Sequence, residues 1–121
     1  MKRLAAIGLF LSLIFPALAQ ASQFPPVASG NLFDNSVSIG TSAVQMIPAN
    51  TSRQYLIIQN VSSTATVGCS TTSSPVIGNA GTVTLVSNGS WSFAGNFIPT
   101  SAFWCIASAI STPVTVKEGH Q

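Results

Sequence analysis

Hydrophobic positions along this chain fall into two textures. Residues 4–15 form one run of apolar or small side chains, closed by Pro16. From Ser36 onward the pattern changes to short segments rich in Val, Ile, Thr and aromatics, separated by Gly, Pro, Asn and Ser. Such segments read as strands. They cover 36–40, 43–47, 54–61, 65–69, 82–87, 90–94, 102–108 and 114–117. None keeps helical spacing over ten residues, and Val37-Ser38-Ile39 and Val114-Thr115-Val116 alternate strictly, as half-buried strands do. Tyr55-Leu56-Ile57-Ile58 is apolar at successive positions, which predicts a central strand covered on both faces.

The punctuation agrees. Asn88-Gly89 lies between Val83-Thr84-Leu85-Val86 and Trp91-Ser92-Phe93, a strong short-range signal for a hairpin. Pro48-Ala49-Asn50-Thr51 turns the chain ahead of the central strand, and 73–81 reads as a polar loop. About eight short strands at near-regular spacing predict an all-β domain, a small two-sheet β-sandwich or jelly-roll-like fold. Residues 20–35, with Gln23-Phe24-Pro25-Pro26 and Gly30-Asn31, read as an extended N-terminal arm, and 36–121 as a single domain.

The first segment has a different purpose. Lys2 and Arg3 precede the apolar run, and Ala17-Leu18-Ala19 places small residues where a signal peptidase reads them. Residues 1–19 therefore read as a secretory signal peptide, with cleavage before Gln20 or, through Ala19-Gln20-Ala21, before Ser22. A run of about 12 apolar residues is too short for a hydrocarbon core of ~30 Å. No cysteine follows the small residues and no second apolar run follows downstream, so the expectation is a soluble periplasmic or extracellular chain.

Export alters the charge balance. The whole chain has four Lys+Arg against two Asp+Glu, net +2, but Lys2 and Arg3 leave with the signal. Asp34, Arg53, Lys117 and Glu118 remain, two against two, together with His120. A neutral domain with two separated cations offers no footprint for a phosphate backbone or an anionic membrane. Nucleic acid is thereby disfavoured as a partner, and near-zero net charge favours association, self-assembly included.

Candidate chemistry is sparse. Asp34 and Glu118 precede the first expected strand and follow the last, so they make no obvious carboxylate pair. His120 lies in the last two residues, where chains usually fray, and gives a serine nucleophile no credible base. The expectation is no enzyme, no cofactor and no metal site. Cys69 and Cys105 both fall in expected strands, with Val67 and Phe103 alternating onto their faces. In an oxidising compartment they form a disulfide, stabilising the domain by roughly 4 kcal/mol through loop closure, or else stay as two buried thiols in strands that are not neighbours.

Arg53 is the cation directly ahead of the expected central strand, Lys117 closing the last one. It either contacts a partner or an anionic sugar, or ties down a turn through backbone carbonyls or a pair with Asp34. Trp91, Phe93, Phe97, Phe103 and Trp104 supply either a sugar-stacking platform or core. Phe103 and Trp104 are adjacent in one strand and so face opposite ways. Asn50-Thr51-Ser52, Asn60-Val61-Ser62 and Asn88-Gly89-Ser90 match the glycosylation acceptor pattern, which chance readily produces in so Ser- and Asn-rich a chain.

The succession SVSIGTSAVQMIPAN, SRQYLIIQNVSSTATVGCS, VTLVSNGSWSF, SAFWCIAS and TPVTVKEG resembles a small β-domain family of tailed-phage and prophage structural proteins. The resemblance is diffuse, spans most of the chain after the arm, and rests on patterned hydrophobics and turns. It implies that 53–60 is the shared central strand and that Arg53 and Asn60 fix the fold. It also implies a virion-associated decoration, tail or fibre-type module that binds protein surfaces. The export signal departs from that pattern, since tailed-phage virions assemble in the cytoplasm. A secreted carbohydrate-binding or adhesin-like module, using Trp91 or Trp104, is the competing expectation.

Overall fold

A computed structural model describes residues 30–120; the expected signal peptide and residues 20–29 of the arm lie outside the described residues. Nine strands form: β1 Asn31–Asp34, β2 Val37–Ile39, β3 Val44–Ile47, β4 Arg53–Asn60, β5 Val67–Ser70, β6 Val83–Leu85, β7 Ser90–Ala94, β8 Phe103–Ala107 and β9 Thr112–His120. Among the described residues there is no helix.

Two antiparallel sheets pack face to face as a small β-sandwich. One runs β1-β9-β4-β7, with β2 also paired to β9, and the other runs β3-β8-β5-β6. β1 and β2 lie in line along the same edge of β9, broken at Asn35-Ser36, where Asn35 N donates to Val116 O and Ser36 Oγ accepts from Val116 N. Connections mostly cross between sheets, so pairing is dominated by residues far apart in sequence.

The core follows the two-residue period. Leu56 and Ile58 of β4 and Val114 and Val116 of β9 point inward from the first sheet. Val67, Leu85, Phe103, Ala107 and Ile47 meet them from the second. Each of the Val, Leu, Ile and Phe side chains among them contributes about 1.5–3 kcal/mol of transfer free energy when fully buried.

Three expectations need correcting. Residues 31–34, read as part of a loose arm, form β1 and pair with Lys117 to His120. β4 is central in its sheet, but only one face is covered: Tyr55, Ile57 and Gln59 on the outer face are half-buried. Their shielding comes from cross-strand neighbours such as Ser92 and Lys117 beside Ile57, and Tyr55 packs across Gly119, where an added Cβ would stand 3.1 Å from the Tyr55 Cβ.

Asn88-Gly89 does not close a hairpin, because β6 pairs with β5 while β7 pairs with β4. Gly89 N donates to Val86 O at 2.8 Å and Asn88 alone of the turn has positive φ, 60°. A type I′ hairpin turn requires φ > 0 at both central residues, whereas a type II turn requires it only at the third position. The segment is therefore a corner that carries the chain from one sheet to the other.

Candidate functional site

Cys69 and Cys105 are directly opposite each other on β5 and β8 and form a disulfide, with Cα atoms 4.2 Å apart. Of the two readings left open by the sequence, the bridge is the one found. It lies on the inner face, fully buried, within one sheet rather than between the two. The segment it closes contains β6 of one sheet and β7 of the other.

β4 is pinned at both ends by a buried polar residue. At its end, the Asn60 Nδ2 donates to the carbonyls of Ala65, Leu85 and Val86 at 2.7, 3.0 and 3.1 Å, while its Oδ1 accepts from Ser62 N. This holds the loop after β4 and the corner before β7 together.

At its start, Arg53 is 4 % exposed. Its Nε donates to Glu118 Oε1 at 2.9 Å, Nη2 to Pro48 O at 2.8 Å, and Nη1 to the carbonyls of Pro99 and Ser101. The guanidinium also lies 5.7 Å from the Phe103 ring centroid. Asn50 Nδ2 donates to Glu118 Oε1 and Asn35 Nδ2 to Oε2, so the carboxylate is supported from three sides. Arg53 thus ties down turns through carbonyls, with Glu118 rather than Asp34 as its ionic partner.

Asp34 instead pairs with Lys117 on the outer face. The Lys117 ammonium, then the Ser36 hydroxyl and N–H, hold its carboxyl well below the usual carboxylate range. Asp34 and Glu118 point to opposite faces of one sheet, so they share no cleft. His120 belongs to β9 and is not frayed: its ring stacks on Phe33 at 4.1 Å, 2° from parallel. Among the described residues no group of His, Cys, Asp and Glu could hold a metal ion.

The aromatics divide. Trp91 and Phe93 project inward from β7 and meet Phe103 of β8, with centroids 5.4 and 6.0 Å away, the Trp91–Phe103 pair edge-on. Such geometry suits the ring quadrupoles. Beside them the loop 95–102 brings up Phe97, 74 % exposed, together with Ile98 and Pro99. The result is an open apolar mouth of about 510 Å³ between the sheets, rimmed by the hydroxyl residues Thr71, Thr100 and Ser101. Arg53 fixes the far side of that loop. Trp104 takes no part: it is half-buried on the outer face of β8, opposite Gln45 and Ser70. The five aromatics therefore do not make one platform.

A second concavity of about 670 Å³ lies across the ends of β1, β4 and β9, between Leu32, Tyr55 and Ile98. Of the three acceptor asparagines, Asn60 is fully buried and Asn50 is committed to Glu118, while Asn88 is exposed. Glu118, considered from the sequence only as a catalytic carboxylate, is the buried ionic partner of Arg53. The alternation Thr112, Val114, Val116, Glu118 is the signal that places its side chain inward.

No protein-family model, curated protein or solved structure matches the chain.

Proposed function

We propose that this chain is a non-enzymatic, exported structural or interaction module that binds protein surfaces, of the kind that decorates virions or other extracellular assemblies. The observation that carries the reading is the mouth between β7 and β8: an open, apolar concavity without a charged lining residue, with Phe97 presented at its rim. Large side chains that become fully desolvated at the centre of an interface are typical binding hot spots, and docking on this mouth would bury Phe97 in that way. The Cys69–Cys105 bridge is compatible with export, since disulfides persist in oxidising compartments.

Mass spectrometry of purified extracellular assemblies and virions from producing cells should find the chain, and Phe97→Ser should reduce its incorporation at least about tenfold, in line with loss of an interface anchor. Absence of the chain from every such assembly would remove the reading.

A second reading follows from the rim. Hydroxyls of Thr71, Thr100 and Ser101 beside Trp91 are suited to a neutral sugar, with stacking on the indole. A glycan array would then show binding by the natural chain and by Trp104→Ala, lost in Trp91→Ala. Failure to bind any sugar at high concentration leaves only the protein-surface reading.

A further inference from the structure

The sandwich has four lateral edges, and three are blunted in ways that stop strands from adding to them. The β1/β2 edge is broken at Asn35-Ser36 and carries the Asp34–Lys117 pair. β3 has a register shift between Gln45 and Ile47 and is followed by Pro48. β6 is only 3 residues long.

Among the described residues β7 has none of these protections. It is 5 residues long, Ser-Trp-Ser-Phe-Ala, and pairs with β4 without a register shift. It contains no charge, proline or glycine, and no Asp, Glu, Lys or Arg occurs anywhere between Arg53 and Lys117.

The hydrogen-bond phase of this edge can be read. Asn60 N donates to Gly89 O at 2.9 Å, while Val61 N donates to Pro113 O on the other side. Even-numbered positions of β4 therefore bond toward β7, so Trp91 and Phe93 spend their backbone groups on β4. The N–H and C=O groups of Ser90, Ser92 and Ala94 point away from the sheet.

We infer that β7 pairs with β7 of a second copy of this chain, antiparallel about a two-fold axis at Ser92. The inference rests on the proposed role as an interaction module and names its partner. What commits the edge to a second copy is self-complementarity. Centred on Ser92, the register sets Ser90 against Ala94 of the second copy and Ser92 against its own counterpart. These are small residues on the outer face, and they are the positions with free backbone groups. Three facing pairs with two bonds each give about six interchain hydrogen bonds.

On the inner face the same register sets Trp91 against Phe93 of the other copy. Those positions form non-hydrogen-bonded pairs, in which side chains approach most closely, and aromatic pairs there are favourable. The two mouths lie side by side along the joint, so Phe97 is drawn toward the second copy. No repulsion opposes the approach, because the charges of the described residues are compensated within two internal pairs, Arg53–Glu118 and Asp34–Lys117.

Sedimentation velocity on the full secreted chain tests this. A concentration-dependent dimer is expected. Ser92→Lys sets two ammonium groups against each other at the axis and should weaken the dimer at least about tenfold, whereas Ser38→Lys on the opposite edge should leave it intact. Cysteine scanning supplies a readout that does not depend on how well Ser92→Lys folds. Under mild oxidation Ser92→Cys should crosslink to itself. Ser90→Cys alone should not, but an equimolar mixture of Ser90→Cys and Ala94→Cys should crosslink.

A natural chain that stays monomeric and a Ser92→Cys variant that does not crosslink would overturn the pairing. So would crosslinking of Ser90→Cys to itself, since that register has a different axis. If Ser92→Lys lost incorporation into extracellular assemblies while the natural chain remained monomeric, self-pairing would fall and the interaction role would stand. A monomeric natural chain that is also absent from every such assembly would remove the role as well.

Discussion

Reduction of the Cys69–Cys105 bridge is expected to lower the unfolding free energy by about 4 kcal/mol, the value chain-entropy arguments give for a loop of this size. The bonded residues are 36 positions apart. A domain of this size usually has about 5–15 kcal/mol in hand, so the loss is a large fraction of the total. The effect should not stop at stability. Trp91, Phe93, Phe97 and Phe103 all lie between the two cysteines in sequence, so the covalent loop encloses the aromatic mouth. Urea unfolding with and without reductant measures the first effect, and the shift of Trp91 emission below the unfolding midpoint, read in a Trp104→Phe background, measures the second. The double variant Cys69→Ala/Cys105→Ala should match the reduced protein, which separates the crosslink from side effects of the reductant. A difference below about 1 kcal/mol would show that β5 and β8 are held by their hydrogen bonds and packing alone.

How far the fold was legible depended on whether the deciding physics was local. Strand alternation is local, and the segments around β2 to β8 were placed within a residue or two. β1 was missed because Asn31-Leu32-Phe33-Asp34 does not alternate and its side chains are exposed. Only pairing with the far end of the chain makes it a strand. The same pairing lengthens β9 to His120 and turns an expected frayed end into ordered sheet.

Asn88-Gly89 failed for a related reason. The dipeptide favours positive φ, which a hairpin and a corner both use. The choice between them comes from the burial of Trp91 and Phe93 against Phe103, which draws β7 into the other sheet. For the cysteines, alternation assigned both to the core face, but adjacency came only from the register of β5 with β8. Arg53 had two ionic partners on offer. The period of β9 selects Glu118, since Lys117 and Asp34 share the outer face while Val116 and Glu118 do not. The aromatic mouth was the least legible feature, because it is assembled from β7, β8 and a loop held by an arginine more than forty residues earlier.

That arginine is the basis of the other large expectation: Arg53→Met should destabilise the domain by about 3–5 kcal/mol, the cost of leaving a charge buried without its partner. Glu118 stays in a site where its side chain is 4 % exposed, and only two asparagine amides remain to solvate it. The carbonyls of Pro48, Pro99 and Ser101 lose their donor at the same time. Arg53→Lys should not rescue the loss, because a point-like ammonium cannot replace a planar fork that reaches four acceptors in different directions.

A double-mutant cycle isolates the ionic part. Glu118→Gln alone should cost less than Arg53→Met, and Arg53→Met/Glu118→Gln should be about 1–3 kcal/mol better than the sum of the singles, as expected for residues in contact. Urea unfolding supplies those values. The local consequence is distinct: hydrogen exchange across 96–102 should accelerate under conditions where the core strands remain protected, since the loop bearing Phe97 has lost its anchor. A cost below about 1 kcal/mol, or exchange that rises equally throughout the domain, would mean that the loop is held by its own packing against Phe103 and that Arg53 only fills space.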